Sequence, residues 1–172
     1  MRKSEILSLF AYNSWANNKI FAAVSRLNPE QFSAPNPCTG YGSIRGILVH
    51  ILTAEVVWRL RLQKISSKER FPDPEFFLCL ENLVDRWTEE DANLQEFLQS
   101  LPEEMVAESL LYTNKRGEPL EQNYWSIFIH LINHGTHHRS EVASILTGYG
   151  VSPGDLEFIH FLRTTSANKE TS

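Results

Sequence analysis

Four of the six histidines, His130, His134, His137 and His138, crowd into the stretch "HLINHGTHHRSE". Imidazoles this dense can bind a divalent cation, relay a proton, or decorate a polar helix face. Residues four apart on a helix stand one turn apart and point the same way, so His134 and His138 could reach one ion together. Such a pair also occurs by chance. A third imidazole from another element would complete an open site, and His50 is the candidate, among Ile47, Ala54, Val57 and Trp58 on its own helix face. Three protein ligands on an ion that takes four leave a position for water or substrate, the arrangement of a catalytic centre.

Helices must position these side chains. Apolar spacing predicts a first helix over 4–27, with Asn13 and Asn17 on its apolar stripe. The stretch "NPEQFSAPNPCTGYG" reads as a loop with one turn near Pro29. Ser43 is the expected N-cap of a second helix over 43–64. Asp73-Pro74 marks the start of a third, whose seam from Phe77 to Leu101 is interrupted by Asp91 and ended by Pro102. A turn at Asn114 to Gly117 fits a small hairpin, and a fourth helix over 123–147 is stopped by Gly148 or Gly150. Ser152-Pro153 predicts a short final helix, "GDLEFIHFLR", with 163–172 as a frayed polar tail. The expectation is an all-α fold, a four-helix bundle with a short C-terminal helix, in one domain over 1–172.

A helical wheel sorts the histidines. With His130 at zero, Tyr124, Ile127, Leu131, Val142, Ile145 and Leu146 define a buried arc between roughly 60° and 160°. His138 falls at about 80° and His134 at about 40°, while His130 and His137 sit near 0° and −20°, on the flank. Asp91 and Glu141 are candidate carboxylates behind a ligand ring, because ligating imidazoles commonly donate their other N–H to one. His160, on the last helix, reads as structural.

The net charge of −5, without a dense basic run, argues against nucleic-acid binding. Cys38 and Cys79 lack metal-type spacing and fit a reducing, cytoplasmic setting. No stretch approaches the twenty or so apolar residues of a membrane span.

The motif His130-x-x-Asn133-His134-x-x-x-His138-Arg139, with His50 far upstream, resembles that of the DinB/YfiT-like family of metal-dependent enzymes. "YNSWANNKIF", with Tyr12, Asn13, Trp15 and Asn17, is similar to that family's N-terminal pattern, and "GVSPGDLEFIHFLR" to its ending. The resemblance implies an up-down-down-up bundle, often a homodimer, holding nickel or zinc through the residues matching His50, His134 and His138. Ser140-Glu141 departs from the family's usual Gly-Gln and leaves those ligands intact. The resemblance implies a metal-dependent enzyme without choosing its reaction; the open three-histidine site, together with thiol-dependent precedents in the family, favours transfer of a low-molecular-weight thiol to a small-molecule substrate. The alternatives are a metal-dependent hydrolase and a non-catalytic metal-binding stress-response protein. Arg139, Asn13, Asn17 and His130 are candidate contacts to substrate or behind the ligands, with helix-linking roles ahead for both asparagines.

Overall fold

The computed structural model describes residues 1–65, 76–114 and 116–170. Its helices are α1 (Lys3–Val24), α2 (Pro29–Ser33), α3 (Ile44–Leu62), α4 (Leu80–Ser100), α5 (Tyr124–Gly148) and α6 (Phe158–Glu170). A 3-10 turn over Glu103–Val106 and an antiparallel hairpin, β1 (Ser109–Thr113) with β2 (Pro119–Asn123), join α4 to α5. Among the described residues no helix is long and apolar enough to cross a membrane.

Local chemistry sets the boundaries. Ser43 Oγ accepts the Gly46 N–H and starts α3, as its position predicts. Asn28 and Gln31 bond reciprocally at the start of α2. Three expectations need correction. The first helix stops at Val24, where the chain tightens into turns that bond Arg26 N–H to the Ala23 carbonyl and Leu27 N–H to the Val24 carbonyl before Asn28-Pro29 opens α2. The third starts at Leu80; Phe77 precedes it and reaches the core from irregular chain, while Asp73 and Pro74 lie outside the described residues. The last helix begins at Phe158, because Gly154 turns with φ +74° and Asp155 Oδ1 accepts the Glu157 N–H. It then continues to Glu170, through most of the expected tail.

The long helices form a ring in which α1 and α3 each pack on both α4 and α5. Side-chain contacts give their directions. Lys3 meets Gln99 and Ser14 meets Asp91, so α1 and α4 run oppositely. Glu55 meets Trp87 and Arg59 meets Glu90, so α3 and α4 run together. His50 meets His134 and Tyr124 meets Leu62, so α3 and α5 run oppositely.

Two apolar clusters fill the interior, one containing Ile20, Ile47, Leu52, Leu83 and Leu146, the other Phe10, Leu94, Leu98, Phe128 and Ile132. Along α1, α4 and α5 a buried polar layer of Asn13, Asn17, Glu90 and Arg139 falls between them. The three histidines lie beside this layer.

Candidate metal centre

Burial along α5 follows the angles at which the histidines leave it. His138 is buried, His134 half-buried, and His130 and His137 are exposed. His50, half-buried on α3, faces the first pair. The Nε2 atoms of His50 and His134 lie 2.8 Å apart, and His50, His134 and His138 each offer a nitrogen within 4.8 Å of the others. Ring centroids are 4.6 to 4.8 Å apart.

Glu141 fixes the third ring. Its Oε2 lies 2.8 Å from His138 Nδ1, so a neutral His138 donates there and turns the lone pair of Nε2 towards the cluster. Burial, then the neighbouring imidazoles, pull His134 down to about 3, which keeps it neutral at ordinary pH. Three imidazoles with converging nitrogens fit a divalent cation. A direct imidazole–imidazole hydrogen bond serves only two of them.

A residue without helical periodicity completes the wall. Tyr41, in the loop before α3, stacks on His50 at 3.8 Å with planes 17° apart and meets His138 edge-on at 5.2 Å. Gly46 permits this, since a Cβ there would stand 2.0 Å from the Tyr41 carbonyl oxygen. No spacing rule singles out Tyr41; the nearby glycine in a helix's first turn was the available signal.

Other candidates have different surroundings. Arg139 is 2 % exposed, donating from Nη1 to Asn13 Oδ1 at 2.6 Å and to Asn17 Oδ1 at 2.9 Å. It lies inside the bundle, where Asn13 and Asn17 of α1 tie it to that helix and Asn13 also bonds Glu55 of α3. Gly135 makes room, because a Cβ there would be 2.8 Å from Arg139 Nη1. Asp91 accepts from Ser14 Oγ at 2.6 Å on the α1–α4 face, not from a histidine. His130 meets His134 and Trp58 through its ring, each at 5.7 Å between centroids. His160 packs on Trp15 and lies 3.5 Å from Asp155. A second group, His137, His138 and Glu141, could also hold an ion, although His137 is exposed and shares both partners with the first arrangement.

Glu55 carries no sequence signal of its place in the fold. It is buried, accepting from Asn13 Nδ2 and Trp87 Nε1 at 2.8 Å each. Burial pushes its carboxyl up to about 7 from an ordinary 4.5, against the downward pull of Asn13, the Arg139 charge and Trp87. The folded-state value is therefore the higher one. Between the two values the native state holds a proton that the unfolded chain has lost, so stability falls as pH rises through about 7. The total loss is about 3 kcal/mol. Urea unfolding from about pH 5 to 8 is expected to follow this decline, and Glu55→Gln to flatten it. An unchanged slope in the variant would assign the decline to other groups.

The DinB family model matches residues 1–171. Protein DinB of Bacillus subtilis (strain 168) is 23% identical over 165 residues, spanning 91% of this chain and 94% of that protein. The crystal structure of a DinB-like protein from Bacillus cereus ATCC 10987 has a TM-score of 0.68 at 17% identity, covering 90% of this chain and 97% of that one. That likeness is one of fold. The bundle with its three-histidine cluster and the match along nearly every residue agree: the chain belongs to the DinB family.

Proposed function

We propose that the protein is a metal-dependent enzyme in which His50, His134 and His138 hold one divalent cation, nickel or zinc, and that it transfers a low-molecular-weight thiol to an electrophilic small molecule. The observation that carries this reading is the meeting of three imidazoles from two facing helices, with Glu141 behind His138. When bound, the cation would supply a Lewis acid able to hold a thiol in its reactive thiolate form near neutral pH. The chain's own groups do the rest. Glu141 sets the His138 tautomer, Tyr41 shields one face of His50, and the stretch of α5 that carries His134 and His138 is anchored inside the bundle by Arg139.

Among the described residues, the placement of the candidate carboxylates favours thiol transfer over hydrolysis. Hydrolysis would want a carboxylate base beside the site. Glu141 is engaged with His138, Asp91 with Ser14, and Glu55 with Asn13 and Trp87.

Cobalt-substituted protein tests the reading. A small thiol is expected to produce a sulfur-to-cobalt charge-transfer band, and metal-loaded protein to accelerate thiol transfer to an aryl halide above the metal-free background. An unaltered spectrum together with no metal-dependent rate would contradict it. Glu141→Gln is expected to weaken metal binding roughly 10- to 100-fold without unfolding the chain, measured by chelator competition. Unchanged affinity would remove Glu141 from the account.

A further inference from the structure

The loop between α2 and α3 and the C-terminal half of α5 enclose a groove of about 700 Å³. Asn36, Cys38 and Thr39 stand on the loop side, and Ser140, Glu141 and Ser144 on the helix side. Among the described lining residues none is lysine or arginine, and Glu141 is the one permanent charge. Glu141 is also the groove's link to the metal centre. Its Oε2 takes the bond from His138, while Oε1 lies 3.7 Å from His137 Nε2.

The hydroxyls reinforce this electrostatic bias. Ser140 Oγ donates to the Thr136 carbonyl at 2.9 Å and Thr39 Oγ1 to the Asn36 carbonyl at 3.4 Å. Their protons are taken, so these oxygens offer lone pairs, which favours a ligand rich in donors. An anion entering the groove would meet the Glu141 carboxylate first, with no lysine or arginine beside it, while the dication proposed at His138 lies on the far side of that carboxylate, behind a ring that does not line the groove. An ammonium would find a carboxylate and acceptor oxygens together.

We propose that this groove seats the polar arm of the co-substrate and selects a cationic, donor-rich molecule, an aminoalkyl thiol, over neutral and above all anionic ones. The assignment to a thiol rests on the function proposed above. The charge preference of the groove does not, and the two are tested separately.

Cys38 is a reporter built into the groove wall, and Cys79, also free and exposed, is its internal control. Metal-loaded full-length protein is treated with a trimethylammonium-ethyl and a sulfonatoethyl methanethiosulfonate, and modification of each cysteine is followed by mass spectrometry. The cation-to-anion rate ratio at Cys38 is expected to exceed that at Cys79 roughly tenfold, as a unit charge near a wetted carboxylate would give. Glu141→Gln should collapse the excess and Ser144→Lys invert it. A ratio at Cys38 equal to or below that at Cys79 overturns the proposal.

In the second arm, cobalt-loaded protein is titrated with cysteamine, 2-mercaptoethanol and 3-mercaptopropionate. Cysteamine is expected to bind tightest and 3-mercaptopropionate weakest, and the reverse order also overturns the proposal. If the Cys38 ratio holds while no thiol alters the cobalt spectrum, the thiol reading fails and the groove's cation preference stands.

Discussion

His50→Ala and His134→Ala are each expected to lower divalent-cation affinity beyond the roughly 10- to 100-fold that follows loss of a hydrogen-bond partner behind a ligand. Either change removes one of the two nitrogens that stand 2.8 Å apart at the α3–α5 contact. After His50→Ala, only a pair from one helix remains, and an i,i+4 pair alone is an ordinary surface motif. His138→Ala belongs with them, and it also leaves the Glu141 carboxylate without its imidazole. His137→Ala is the control, because its exposed ring lies outside the three-histidine group. Metal content after dialysis, read by inductively coupled plasma mass spectrometry, separates the outcomes. Stoichiometric metal retained by the His50 or His138 variant would contradict the assignment.

Arg139→Met is expected to destabilise the fold by several kcal/mol, because each buried amide oxygen left without its donor costs about 1–3 kcal/mol. Asn13 and Asn17 would lose a donor, and Glu55 the charge that most directly favours its ionised form. Arg139→Lys should recover little, since one ammonium cannot reproduce a planar fork that reaches Asn13, Asn17 and Thr136. Urea denaturation of the metal-loaded protein measures the effect. Full stability with a raised KM would instead return Arg139 to substrate contact, the other role its position beside His138 allows.

These two expectations differ in how far the sequence could reach. The wheel of α5 ranks its four histidines in the order of burial found in the fold, because a helix angle is local geometry that tertiary packing leaves intact. Hairpin and caps are legible for the same reason: Asn114 to Gly117 and Ser43 carry their turn and cap chemistry in their side chains. The polar layer is not legible in this way. Glu55 and Arg59, four apart on α3, carry no local signal that places them in the interior. In the fold Glu55 turns to Asn13 and Trp87, and Arg59 to the fully buried Glu90, choices made by the neighbouring helices. Tyr41 escapes for a related reason, since a loop residue has no period and its partner His50 is set by the close approach at Gly46. The start of α6 was misplaced because Ser152-Pro153 resembles a cap, whereas the positive φ of Gly154 and the Asp155 bond delay the first turn.

One divalent cation is proposed to sit among His50, His134 and His138. Anomalous scattering from zinc-loaded crystals, collected on both sides of the zinc absorption edge, tests it most directly. A single strong peak is expected within about 2.0–2.1 Å of a nitrogen of each of these three rings, with Nε2 the nitrogen used by His138. A peak among His137, His138 Nδ1 and Glu141, or none in stoichiometrically loaded protein, would contradict it.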